Sequence, residues 1–110
     1  MSDTIRDALD SIGGIEGVEK VALISRTGMF IEGDSFDGGD TFSAMSAIIL
    51  GAAETATMGM GALKKVVVHL DDGKNLIITS VGKKGVLAVL ADRDVYDEIE
   101  QIKGRFENLI

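Results

Sequence analysis

Apolar side chains recur along this chain with two periods, and glycines mark the breaks between them. Ile5, Ala8, Leu9 and Ile12 share one helical face, with Ser2 or Asp3 placed to cap the helix and Gly13-Gly14 to stop it. Lys20 to Ser25 is an apolar run, turned by Arg26-Thr27-Gly28 into Met29 to Gly33, which predicts a hairpin. The loop Asp34 to Asp40 leads to Asp40 or Thr41 as N-cap of a second helix reaching about Thr57, closed by Gly59-Met60-Gly61. Three strands follow, Leu63 to Leu70, Asn75 to Val81 and Gly85 to Ala91, joined by Asp71-Asp72-Gly73-Lys74 and Gly82-Lys83-Lys84. A final helix starts at the Asp94 cap and carries Val95, Ile99, Ile102, Phe106 and Leu109 on one stripe. The expected order is α-β-β-α-β-β-β-α.

Two strands are apolar at both parities. In Val21-Ala22-Leu23-Ile24 and Val86-Leu87-Ala88-Val89-Leu90 neither face is polar, so both faces of the sheet need cover. Five strands make a sheet roughly 24 Å wide, and a helix is about 10–12 Å across. Two helices cover one face; the third is left to cover the other alone. The first and last helices are amphipathic and suit the shared face.

The second helix is unusual for a surface helix. After its cap the only charge is Glu54, and Phe42, Met45, Ile48, Ile49 and Leu50 leave no polar side. Small residues also recur at i, i+4 in Ser43, Ala47, Gly51, Thr55 and Gly59, a row that lets another backbone approach closely. Exposed apolar surface of this kind marks a partner, and a second copy would supply the missing helix about a two-fold axis near Gly51. The alternative is that the small row packs on this chain's own sheet.

Composition narrows the function. The chain has 110 residues, 45% of them hydrophobic, which suits one domain with one core. It has no cysteine, which excludes disulfides and thiol catalysis and fits a reducing compartment. A net charge of -7 disfavours nucleic acid and anionic membranes. The start, Met-Ser-Asp-Thr-Ile-Arg-Asp, lacks the basic and apolar regions of a signal peptide, so a cytoplasmic location is expected. Thr41 to Leu63 carries one charge but too few Leu, Ile and Val for a membrane span.

Candidate chemistry is sparse. His69 is the only histidine and has no Ser, Cys or second His motif beside it, so it reads as structural. Asp34, Asp37 and Asp40 around Gly38-Gly39 hint at calcium, but the twelfth position from Asp34 is Met45 where an EF-hand needs Glu. Gly59 to Lys64 runs from helix to strand, the reverse of a phosphate loop, and reads as a C-cap. Asp71-Asp72 and Glu98-Glu100 lie in a turn and on a solvated helix. No catalytic residue, cofactor or metal is expected.

The succession of elements resembles the roadblock/dynein light-chain family, including prokaryotic members that regulate Ras-like GTPases. The resemblance rests on Gly17-Val18 leading into Val21 to Ile24, on Arg26-Thr27-Gly28-Met29, on the Ala-rich helix Phe42 to Ala56, and on three apolar strands with a closing helix. Lys20 departs from it, standing where the family often has a small residue. The resemblance covers almost the whole chain as a single domain, 1–110. It implies a five-stranded antiparallel sheet with helices on both faces, of roadblock or profilin-like type. It also implies a homodimer with second helices side by side and third strands joined into one ten-stranded sheet. The interface residues expected on that basis are Ser43, Ala44, Ala47, Ile48, Gly51, Ala52, Glu54 and Thr55, with Val66, Val67, Val68 and His69. A small GTPase would bind across the paired helices. The sequence stops at Ile110 without the tail some regulators use on their GTPase, so binding is expected and activation chemistry is not. Competing readings are a structural adaptor in a larger assembly and a small-molecule sensor of profilin or PAS shape, with an enzyme last.

Overall fold

The computed structural model describes residues 4–110. Its elements are α1 (Ile5–Gly13), β1 (Val18–Ser25), β2 (Phe30–Gly33), α2 (Gly39–Ala56), β3 (Val66–His69), β4 (Asn75–Val81), β5 (Gly85–Ala91) and α3 (Tyr96–Lys103), followed by a 3₁₀ turn, Gly104–Phe106. The strands form one antiparallel sheet in the order β2-β1-β5-β4-β3. The fold is therefore the expected α+β arrangement, with β2 and β3 at its two edges.

Helices divide between the faces as the sheet's width requires. On one face Ala8, Leu9 and Ile12 of α1, together with Tyr96 and Ile99 of α3 and Phe106, bury Val21, Leu23, Ile77, Leu87, Val89 and Ala91. On the other face α2 alone covers the sheet, with Leu50 on Ile24, Ile78, Val86 and Ala88 and with Phe42, Ile49, Leu63, Val66 and Leu76 half-buried around it. Strand β5 shows why both faces need cover: Val86, Leu87, Ala88 and Val89 alternate between the two cores, and each is wholly buried.

Several element ends differ from the sequence pattern: β1 starts at Val18, ahead of Lys20, and β2 at Phe30, after Met29. The α1 cap is Thr4, whose hydroxyl accepts the Asp7 N–H at 3.1 Å; the expected Ser2 and Asp3 lie outside the described residues. The second helix starts at Gly39 after Gly38, not after Asp40 or Thr41, because Gly38 turns the chain at φ 94° without a side-chain cap. Asp40 then sits in the first turn, where its charge favours the helix N-terminus. The third strand is four residues long, not eight, since only Val66 to His69 pair with β4. Ahead of it, the Lys64 carbonyl accepts the Thr79 hydroxyl at 2.7 Å instead of joining the ladder. The last helix loses α geometry at Gly104, and the 3₁₀ turn directs Phe106 into the core. Asp94 still serves this helix by accepting the Tyr96 N–H at 2.9 Å. Partial burial raises the Asp94 pKa, but hydrogen bonds from Lys65 and the Tyr96 N–H, with the nearby Lys65 and His69 charges, outweigh it and hold the carboxyl below its usual range.

His69 sits exposed at the end of β3, with Nδ1 2.5 Å from Asn75 Oδ1. Replacing it with Ala is expected to cost no more than about 1 kcal/mol in urea unfolding, the worth of one such hydrogen bond. A larger loss would assign it a structural role that this contact does not explain.

Candidate partner-binding surface

The second helix turns about 100° per residue, so its sides can be assigned from its contacts. Ser43, Ser46 and Leu50 point at the sheet and are buried. Phe42 and Ile49 lie on one flank, half-buried against the cluster of Leu50, Ile24, Ile78, Val86 and Ala88, and Phe42 also stacks on Phe36. The opposite flank carries Ala44, Ala47, Gly51 and Glu54, all half-buried, and faces the β1–β2 hairpin. A Cβ on Gly28 in that hairpin would stand 3.0 Å from Ala44 Cα, so the glycine is what lets the turn lie on the helix. Outermost is the ridge Thr41, Met45, Ile48, Ala52 and Thr55, exposed throughout and uncharged, with Ile48 57% accessible.

An i, i+4 row advances about 40° around a helix at each step. The small-residue row therefore does not form one seam. Ser43 is buried on this chain's own sheet, as the alternative reading had it for the whole row; Ala47 and Gly51 lie on the hairpin flank; Thr55 reaches the ridge. Of the eight helix residues expected at an interface, the structure puts Ile48, Ala52 and Thr55 on the open ridge. Gly51 also has room, since a Cβ there would meet nothing within 4 Å. Ala44 and Glu54 are engaged by the hairpin.

Glu54 is the one charge of α2 after its first turn, and it has a partner inside the chain. Arg26 donates to it through its two terminal guanidinium nitrogens, at 2.5 and 3.0 Å. The Arg26 hydrogen bond draws the Glu54 carboxyl below its ordinary range, partial burial opposes this, and the opposite charge adds to it. The same contact raises the Arg26 pKa. A depressed carboxylate stabilises the fold above its unfolded pKa, and that contribution disappears as pH falls through its lower folded value. Both side chains are more than a third exposed, so solvent screening limits the pair to about 0.5 kcal/mol. Glu54→Gln is therefore expected to lower stability slightly at neutral pH and not at all in strong acid, as read by denaturation midpoints across pH. Equal losses at both would remove the ion pair from the account.

The expected strand residues divide between the faces. Val66 joins the α2 cluster and Val67 the α1–α3 cluster, Val68 is half-buried, and His69 is exposed. What they share is the outer side of β3, which has no neighbouring strand among the described residues.

Two features are not visible in the sequence. Arg26 belongs to a turn motif, and nothing in the sequence places its side chain beside a helix residue 28 positions away. A cleft of about 230 Å³ opens between β2, the 34–36 loop and the start of α2, lined by Ala22, Phe30, Phe36, Phe42, Asp34 and Asp40 among others. It lies open at the sheet's edge, unlike the enclosed core pocket that a PAS-like sensor would need. Among the described residues no group of three or more His, Cys, Asp or Glu could hold a metal ion, and no helix is long and apolar enough to cross a membrane.

A five-stranded antiparallel sheet in the order β2-β1-β5-β4-β3, with two helices on one face and an apolar helix on the other, defines a roadblock-type domain. The Roadblock/LC7 domain profile matches residues 4–91, and the chain belongs to that family. Its fold is similar to a Roadblock/LC7 domain from Streptomyces avermitilis, at TM-score 0.75 and 21% identity over 90% of each chain. It is equally similar to the gliding protein MglB of Thermus thermophilus, at TM-score 0.75 and 16% identity over 94% of this chain and 85% of that one. An MglB with a tetrameric arrangement aligns at TM-score 0.73 and 14% identity, over 94% of this chain and 85% of that one. No curated protein matches the chain in sequence.

Proposed function

We propose that this chain, residues 1–110, is one protomer of a non-enzymatic homodimeric scaffold in the cytoplasm that binds and regulates a small Ras-like GTPase. The observation that carries the reading is the uncharged ridge Thr41–Met45–Ile48–Ala52–Thr55 on the only helix of its sheet face among the described residues, beside the open edge of β3. A second copy placed on that side would cover the ridge, pair β3 with β3 and give the apolar face its missing helix. Membership of the Roadblock/LC7 family supports the reading, and so does the tetrameric arrangement of one MglB, a property of that protein. The GTPase would dock across the paired helices and have its switch segments held there, with no catalytic group supplied by this chain.

Affinity capture from native cytosol tests the partner. The immobilised protein should retain a Ras-like GTPase in the presence of a non-hydrolysable GTP analogue and retain it more weakly with GDP. Retention of a non-GTPase protein insensitive to nucleotide would replace this reading with that of a structural adaptor.

A further inference from the structure

The edge of the sheet opposite β3 carries its own surface. Met29, Phe30 and Ile31 are consecutive and exposed, at 68%, 46% and 37%. They flank or form β2, which pairs with β1 on one side and has no strand on the other among the described residues. Strand backbone groups point alternately to either side, so part of the hydrogen-bonding capacity of β2 faces outward, unpaired. Natural edge strands are usually protected by lysines, prolines or charges on the edge. Strand β2 reads Phe30-Ile31-Glu32-Gly33 and has neither lysine nor proline. Glu32, its one charge, is turned to α1, where Arg6 Nε reaches it at 2.9 Å. The register slips between Leu23 and Ile24 so that Ile31 is the extra residue, a bulge that brings Phe30 and Ile31 out together.

Beside this edge lies the cleft of about 230 Å³. Its walls are apolar: Ala22 below, Phe30 on the strand, and Phe36 stacked on Phe42 with ring centres 4.2 Å apart. Its polar lining includes the carboxylates Asp34 and Asp40. Asp34 spends one oxygen on the Val21 N–H at 2.9 Å. The nearby cation Lys20 donates to the Ser35 carbonyl at 2.9 Å and lies over the Phe36 ring, making no ion pair with Asp34 or Asp40 among the described residues.

We propose that the β2 edge and this cleft form a second docking site, for an extended apolar segment of a partner protein carrying one arginine or lysine. The segment adds to β2 as a strand, with backbone hydrogen bonds supplying register and β-branched side chains resting on Phe30 and Ile31. Its basic side chain enters the cleft, the aliphatic stem against Phe30 and Phe42 and the charged head at Asp34 and Asp40. Charge complementarity selects this occupant: the cleft is apolar in its walls and acidic in its lining, in a protein of net charge -7. A second copy of this chain is a poor occupant, because its own edge would bring the same acids to the same place. The site shares no residue with the α2 ridge, and the Ile48→Glu form tests it apart from the dimer.

The experiment uses the full chain in two forms, wild type and Ile48→Glu, each panned against a random nonapeptide display library. Both should enrich peptides with a single Arg or Lys among β-branched residues. The synthesised peptides should shift the amide resonances of Met29 to Asp34 and of Asp40. Asp40→Lys should weaken them at least about tenfold, and Asp40→Asn, which keeps the helix start polar, should weaken them several-fold. N-methylation at alternate peptide positions should abolish binding in one register and spare it in the other, which a non-strand mode would not do. Enrichment of acidic or no peptides, shifts confined to the α2 ridge, affinity unchanged in both Asp40 variants, or indifference to N-methyl register would each overturn the site.

Discussion

Ile48→Glu is expected to give a folded protein that no longer self-associates. In the isolated chain Ile48 is 57% exposed, so a glutamate there stays in water and costs the protomer little. In the proposed dimer the same carboxylate is shut away without a partner, at roughly 3–5 kcal/mol. Each 1.4 kcal/mol is tenfold, so the dissociation constant should rise by roughly two to four orders of magnitude for each carboxylate buried. A two-fold assembly suffers the change twice, once on each protomer. Gly51→Leu is the companion variant. Its Cβ would meet nothing within 4 Å in the protomer, so a lost dimer would report steric bulk against a partner and not damage to the fold. Light scattering across dilution, with circular dichroism to confirm folding, reads both. A wild-type chain that is monomeric at all concentrations would overturn the dimer, and a dimer mass unchanged in both variants would place the interface elsewhere.

The sequence revealed those features that depend on local periodicity or on apolar content. Strands apolar at both parities required cover on both faces, and the width of five strands required α2 to stand alone on one of them. That inference needed no contact information, and the two cores around β5 have this arrangement. The element ends were less legible because small local effects decide them. Gly38 at a positive φ sets the start of α2, and the Thr79 hydroxyl takes the carbonyl that would have extended β3. The orientation of α2 about its own axis was not legible at all. The i, i+4 row of small residues looked like a seam, yet its drift carries it from Ser43 in the core to Thr55 on the ridge. Only tertiary contacts fix that rotation: Arg26 on Glu54, Gly28 on Ala44, and Leu50 with Phe42 and Ile49 on the sheet cluster. The cleft beside β2 was hidden for the same reason, since its lining comes from three segments whose proximity no spacing encodes.

Gly33→Ala is expected to be the most damaging of single-methyl changes to the fold. Gly33 closes β2 at φ +119°, a conformation that side chains rarely adopt, and it pairs with Ala22 across the ladder. A Cβ at this position would lie 2.5 Å from the Val21 carbonyl oxygen and 2.9 Å from Ala22 Cα. Both neighbours are backbone of a central strand, so neither can swing aside as a side-chain tip would. Relief requires β1 to move, and β1 is held on its other side by β5 through seven paired residues. Backbone strain of this kind costs about 1–3 kcal/mol, and forcing atoms into a packed site adds a further 1–3 or so. A total near 4 kcal/mol is a large part of the 5–15 kcal/mol typical of a small domain. Gly51→Ala is the matched control: its helix position has ordinary φ and open space, so the methyl should raise protomer stability by roughly 0.5–1 kcal/mol. Both are measured by urea unfolding in the Ile48→Glu background, so that dimerisation does not enter the midpoint. Opposite signs are the expected result. A Gly33→Ala protein as stable as its parent would mean that the hairpin reaches β1 less closely than these distances require, and with it the wall of the β2 cleft would be differently built.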